Sequence, residues 1–334
     1  MKLPLQNKLI NGAFDYWQRG SSFPGAVNIY TADRWKYEEE ASSTMVLSVS
    51  RSTDLPPGSN SLYSLQLAVT TAQASIGASQ YSDLVQSIEG NVLRGFKGKK
   101  FLLSFWVKSN KVGTYCSTFR NGSYNKTLVK EFTVNSANTW EKKIIRATHD
   151  LTGTWSYDTS AGLRVVFCLA AGANYRKTKD SWLSEDGLCS TSQVNFADTI
   201  GNTFQIADVC LVEDNEEQTR NPDFVYAGRD VFEELQLCQR YYNINEPPGW
   251  TFDNTSYSAA QVGNTRPMGR GFRFPVIMRI IPSVALTTSS HGFNIAPITT
   301  ALNAEFFSIY VATGIALSAN PFIYDPKVTA DAEL

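Results

Sequence analysis

Hydrophobic and polar residues alternate with period two over much of the first 220 positions. Met45, Leu47 and Val49 alternate with Ser48 and Ser50, and Tyr63, Leu65, Leu67 and Val69 with Ser64, Gln66 and Ala68. Phe101, Leu103, Phe105 and Val107 share one face of another run and leave Trp106 on the other. Such alternation predicts strands with one buried and one wet face. Leu163–Ala170 and Thr203–Val212 are further strand candidates. Pro56-Pro57-Gly58, Asn121-Gly122 and Thr152-Gly153 lie between the runs and favour turns by their backbone preferences. Many strands with no helical period between them predict an antiparallel sandwich over residues 1–220. Leu9–Trp17 and Phe204–Val212 are expected to pair and close it.

The pattern changes near residue 230. The polar stretch Asn215–Pro222 opens a connector over 221–245 that contains one short helix. Asp230 is the expected N-cap, with Glu233 three residues on in a capping-box relation. Val231, Leu235, Cys238 and Tyr242 follow at spacings of 4, 3 and 4. That is a coiled-coil stripe of about two heptads, too short to hold chains together alone. It fits a helix packed on its own sandwich as well as an inter-chain seam.

Residues 246–334 predict a second β-domain. Residues 241–334 carry five Lys/Arg, six Asp/Glu and 8 of the 13 prolines. A small domain this poor in charge is expected to cover apolar surface against copies of itself. Gly271–Pro282 is its strongest expected strand pair, with Pro275 at an edge or bulge. Val231, Leu235, Cys238, Tyr242, Phe272 and Phe274 are the candidate oligomer contacts. The fold class is therefore all-β: an N-terminal sandwich, a linking helix and a C-terminal sandwich-like domain.

Composition narrows the function. The chain is 334 residues long, 43% hydrophobic and 18% charged, with a net charge of −1. Nothing in that balance attracts nucleic acid, and no basic run marks a membrane surface. Arg266, Arg270, Arg273 and Arg279 interleave with Phe272 and Phe274, but contacts between chains or with anionic polysaccharide suit them better than nucleic acid. Cys116, Cys168, Cys189, Cys210 and Cys238 lie tens of residues apart and read as free buried thiols of a reducing compartment. The first residues lack the apolar stretch of a signal peptide, and no run is long enough to span a bilayer.

Catalytic motifs are missing from the sequence. The two histidines, His149 and His291, accompany no HExxH, P-loop or GxSxG pattern. A carboxylate pair could serve a glycosidase, with Asp15, Asp33, Glu89, Asp180, Glu185, Asp186 and Asp208 as candidates. No other cofactor is expected beyond a structural Ca2+ held by Asp15, Asp208 or Glu213. Aromatics beside turns can stack on the apolar faces of sugar rings. Trp155, Tyr175, Trp182 and Trp250 are the glycan-binding candidates. Trp17, Trp35 and Trp106, which sit in or beside strand-like runs, are expected to be packing anchors.

One resemblance is carried by an ordered series of motifs. It opens with Leu9-Ile-Asn-Gly-Ala-Phe-Asp-Tyr-Trp-Gln-Arg-Gly-Ser-Ser-Phe23 and Tyr30-Thr-Ala-Asp-Arg-Trp35. Gln86-Ser-Ile-Glu-Gly90 and Gly98-Lys-Lys-Phe-Leu-Leu-Ser-Phe-Trp-Val-Lys108 follow. Phe204–Glu213 and Glu233-Glu-Leu-Gln-Leu-Cys-Gln-Arg-Tyr-Tyr242 close it. Over residues 9–242 the chain resembles a family of bacteriophage tail-fibre and appendage proteins. The resemblance implies a jelly roll related to carbohydrate-binding modules, a helix and a variable C-terminal β-domain. It implies a virion subunit assembled in the host cytoplasm, trimeric in fibres, whose partners are other tail proteins and host surface polysaccharide. It brings no catalytic residues. A head fibre or capsid decoration protein, a glycan-degrading enzyme and a stand-alone lectin module are the rival expectations. In a fibre, the C-terminal domain is expected to carry host specificity.

Overall fold

The computed structural model describes residues 6–214, 229–247, 250–251, 268–287, 290–291, 298–311, 322–324 and 326–334. The chain divides within the linking helix, after Glu234, and the second unit runs from Leu235 to Glu333.

The first unit is a sandwich of two antiparallel sheets. The six-stranded sheet runs Ser22–Ala26 (β1), Val46–Ser52 (β4), Ser64–Thr71 (β5), Thr203–Glu213 (β13), Lys100–Ser109 (β7) and Glu141–Thr148 (β10). The seven-stranded sheet runs Trp182–Leu183 (β12), Thr127–Val134 (β9), Gly113–Asn121 (β8), Ala161–Ala171 (β11), Tyr81–Glu89 (β6), Lys36–Glu39 (β3) and Ile29–Tyr30 (β2). The chain passes repeatedly from one sheet to the other. The alternation read from the sequence sets the inner faces: Leu47, Val49, Leu65, Leu67, Phe101, Leu103, Phe105 and Val107 all enter one core. Phe105 meets Phe132 and Phe167 there at 5.0 and 4.9 Å between ring centroids. Trp17 and Trp35 belong to the same core, as expected.

Leu9–Trp17 forms no strand, contrary to expectation. It still closes the sheet. β5 pairs only with Thr203–Ile206 of β13, which leaves the far half of that side open. There Lys8 N donates to Leu211 O, Val209 N to Gly12 O, and Asn7 brackets the strand with bonds to Val209 O and Leu211 N. The backbone cannot be regular, because β13 bulges between Ala207 and Cys210, with Asp208 at φ 51°. Gly12 lies so close that a Cβ would sit 2.0 Å from Val209 O.

The helix forms at Val231–Gln239, inside the expected connector. Asp230 Oδ1 accepts from Glu233 N at 2.8 Å, the expected cap. Glu234 is buried, ion-pairs with Arg229 at 2.8 Å and accepts from Asn11 N. The 4-3-4 stripe is not a free seam. Cys238 is fully buried, and Tyr242 lies beyond the helix in the strand Tyr242–Asn245. Leu235 is half-buried, whereas Val231 and its neighbour Phe232 are exposed.

The second unit contains three three-stranded antiparallel sheets among its described residues. Its core gathers Phe274, Met278, Phe307, Ile309, Val328, Ala330 and Ala332. Phe274 is therefore a core residue, and Phe272 stacks on Phe307 at 5.4 Å. Their spacing suited an inter-chain contact, yet both rings are used within the chain. The expected strand pair at Gly271–Pro282 is also corrected. The strand is Met268–Arg273, it pairs with Phe306–Val311, and Pro275 lies outside it.

All five cysteines are buried, and none forms a disulfide. Among the described residues, no helix is long and apolar enough to cross a membrane.

Candidate functional site

The outer face of the six-stranded sheet carries a cluster of aromatic and polar groups. β7 buries Phe105 and Val107, so its alternation turns Trp106 and Lys108 outward. Register then assembles two rows across the strands. Trp106 lies between Lys142 on β10 and Ala207 on β13. Lys108 lies beside Gln205, which faces Gln66 on β5, which faces Ser50 on β4. Trp106 is half-buried and absent from the sandwich core, so the expectation of a packing anchor is corrected.

Trp140, just before β10, joins this face. Its indole N–H donates to Asp54 Oδ1 at 3.0 Å, and Lys108 Nζ lies 5.5 Å from its ring centroid and binds the same carboxylate. Lys142 Nζ lies 6.0 Å from the Trp106 centroid. Gln205 Nε2 donates to Ser52 Oγ at 3.1 Å. Burial of Asp54 opposes ionisation, but hydrogen bonds from Lys108 and Trp140 outweigh it and hold the carboxyl below its usual range. The result is two part-exposed indoles amid amides, hydroxyls and ammonium groups, Trp140 being oriented by an ionised carboxylate. Such a surface can stack on the C–H faces of sugar rings while its polar groups bond their hydroxyls. The signal for Trp106 was present in the sequence as its outward phase on β7. Trp140 had none, because it precedes its strand.

A groove of about 430 Å³ opens at the edge where β10 meets β9 and β12. Lys100, Lys130, Arg146, Asp180, Asp214 and Trp182 line it over Leu128 and Ala147. Lys130 pairs with Asp180 at 2.8 Å and Arg146 with Asp214 at 3.1 Å. The Trp182 indole N–H donates to Thr148 O at 2.7 Å, and its ring meets Trp155 edge-on at 5.6 Å.

The other aromatic candidates line neither place. Trp155 is buried in the core, donates to Thr152 O and packs on His149 at 4.3 Å, so it is a packing anchor. Tyr175 packs edge-on against Tyr81 at 5.2 Å, beside the cluster of Cys116, Cys168 and Cys189. Trp250 begins a short strand paired with Phe322–Tyr324, and its side chain lies outside the described residues.

The remaining face of the sandwich is largely occupied by its own charges. Glu38 bridges Arg164 at 2.6 Å and Lys36 at 2.9 Å, and Arg120 pairs with Asp186 at 2.6 Å. Burial, reinforced by the nearby Glu38, raises the fully buried Asp83 to about 8.

The carboxylates considered for hydrolysis or for Ca2+ are engaged by neighbouring groups or buried. Asp33 binds Gln18, Glu185 pairs with Lys177, and Asp208 accepts from Ser59 and Ser61. Asp15 accepts from Leu62 N, Glu213 pairs with Lys99, and Glu89 is buried. No three His, Cys, Asp or Glu among the described residues could hold a metal ion. His149 is 2% exposed, its Nδ1 accepts from Gly98 N, and burial lowers it to about 4.

No family model and no curated protein matches the chain. Among solved structures, the enzymatically active domain of bacteriophage CBA120 tailspike protein 4 is similar at 14% identity and a TM-score of 0.35. That likeness covers 62% of this chain but 21% of the tailspike chain, so the match takes in about a fifth of it. The family 11 carbohydrate-binding module of a cellulosomal cellulase of Clostridium thermocellum is similar at 13% identity and a TM-score of 0.33, over 56% of this chain and 92% of the module. The N-terminal cellulose-binding domain of Cellulomonas fimi beta-1,4-glucanase C is similar at 14% identity and a TM-score of 0.28, over 60% of this chain and 93% of that one. At these scores the likeness carries no functional inference.

Proposed function

We propose that this chain is a structural subunit of a phage tail fibre or appendage, and that its sandwich binds host-surface polysaccharide through Trp106 and Trp140. The observation that carries the binding role is the pair of part-exposed indoles on one sheet face, Trp140 tied to Asp54 and Lys108 and Trp106 beside Lys142. The ordered motifs over residues 9–242 support the virion role. The chain is a binder rather than a hydrolase, because its candidate carboxylates are engaged by neighbouring groups or buried and His149 is an uncharged core residue near neutral pH.

Capture of host polysaccharide tests the binding role. Trp106→Ala and Trp140→Ala, singly and together, should lower capture at least tenfold with little change in melting temperature. Undiminished capture by the double variant would refute it. Steady release of reducing ends would refute the non-catalytic role, and imaging of the particle tests the location.

The working state is a homotrimer held through the second unit and the helix. Val231 and Phe232 on the helix, and Ile277, Ile280, Ile281 and Leu302 beyond it, expose apolar side chains in a charge-poor region. Light scattering on the full chain should give three copies, falling to one for Phe232→Glu with Ile281→Glu. A monomeric wild-type chain would overturn the trimer.

A further inference from the structure

We infer that one copy of the sandwich docks on the next through two unlike patches: the exposed first turn of the linking helix, and a basic turn that carries Arg94 and Lys97. This rests on the trimer proposed above and names the surface that receives Val231 and Phe232.

The basic turn follows β6. Arg94 Nε donates to Tyr157 O at 2.9 Å, and Lys97 Nζ lies 5.2 Å from the Tyr157 ring centroid. Both cations are exposed, and neither closes an ion pair among the described residues. Asp158 feels the charge of Arg94, but its carboxylate accepts from Ser160 N and Oγ. Leu151 packs on Gly98 beside these cations and is 62% exposed.

The helix turn has the opposite character. Val231 and Phe232 are exposed, Phe232 at 78%, between the acids Asp230 and Glu233. The Glu233 carboxylate closes no ion pair among the described residues. The turn is fixed on its own sandwich: Tyr16 Oη donates to Val231 O, Arg229 donates to Leu9 O, and the buried Glu234 accepts from Asn11 N. A backbone already fixed loses little freedom on docking. Apolar groups flanked by acids on one patch and by cations on the other are complementary. Exposed ion pairs contribute little alone, so Phe232 against Leu151 supplies the contact, and Glu233 facing Lys97 sets its register.

Both patches lie around the end of the sandwich where β13 finishes. Lys99, beside the basic turn, pairs with Glu213 at 2.8 Å. Leu9, which holds Arg229, follows Lys8, whose N–H donates to Leu211 O. A contact between unlike patches closes into a ring or runs on as a filament, according to the rotation it imposes. Patches that share one end suit a ring about an axis near that end, as three copies require.

Carbodiimide cross-linking of the full chain tests this, with light scattering alongside. The reagent condenses an amine and a carboxylate in contact into an amide and takes up the water released. Mass spectrometry of gel-separated products should find Lys97 joined to Glu233 in the covalent dimer and trimer bands. The link should be missing from the monomer band, where only links within one chain occur. Phe232→Ser should lower its yield at least tenfold. Lys97→Glu combined with Glu233→Lys should keep the link, with amine and carboxylate exchanged. Absence of the link from the dimer and trimer bands, its presence in the monomer band, undiminished linking in Phe232→Ser, or its loss in the exchanged pair overturns the inference. If scattering then still gives three copies, the trimer stands without this contact; if it gives one copy, both fall.

Discussion

His149 makes the sandwich sensitive to mild acid. Its ring is 2% exposed, packed on Trp155, and its pKa lies at about 4 against an ordinary 6.5. Desolvation is the main cause; Asp150 opposes it and Lys97 adds to it. The folded state therefore binds this proton less tightly than the unfolded chain does. Stability is intact above pH 6.5, falls as pH drops through the window from 6.5 to about 4, and loses nothing further from this group below that. The loss over the whole window approaches about 3 kcal/mol, at about 1.4 kcal/mol per pH unit. Six of the seven tryptophans precede residue 214, so urea unfolding followed by indole fluorescence reports mainly the sandwich. Unfolding curves for wild type and His149→Gln, taken at several pH values from 7 to 4, isolate the histidine by difference. The variant is expected to be less stable at pH 7 and to converge on wild type as pH falls. Curves that keep a constant separation would refute the reasoning. So would an NMR midpoint near 6.5 for the His149 ring.

Two further substitutions probe the packing. Phe105→Ala removes a buried ring that touches Phe132 and Phe167 and should cost about 3–5 kcal/mol in chemical unfolding, far more than Trp106→Ala next to it. Gly12→Ala would drive a methyl group into Val209 O, so the 7–12 segment should detach, with faster amide exchange at Val209 and Leu211.

Local pattern made much of the fold legible. The runs at 101–107, 163–170 and 203–212 fall within strands, those at 45–49 and 63–69 lead into theirs one residue early, and Asp230 caps the helix. Pattern gives the two faces of a strand but not which polar face is later covered. Trp106 stays half-exposed on its sheet, while on the other sheet outward residues such as Arg120 and Arg164 are buried. The 4-3-4 stripe has the same spacing whether it meets its own chain or another; Cys238 is buried within the chain, whereas Val231 is exposed. Trp155 and Trp182 flank similar loops, yet one packs on His149 and the other lines the groove. The groove itself could not be read, because its cations come from β7, β9 and β10 and meet only after the sheets stack.

The docking of residues 7–12 on β13 bears on how the protein is made. Asn7 bonds to Val209 and Leu211, across 202 and 204 positions of sequence. Such distant pairing carries a large loop-closure cost and slows folding. On a ribosome, the central strand β13 emerges after every other strand of the sandwich, so the six-stranded sheet cannot close until then. Until that point β5 and β7 expose the edges that β13 will join, and such edges invite pairing with other nascent chains. Where copies are made side by side, folding of the sandwich and encounter with a neighbouring copy compete in time. Synthesis rate and chaperone supply, more than final stability, should then govern the yield of native protein.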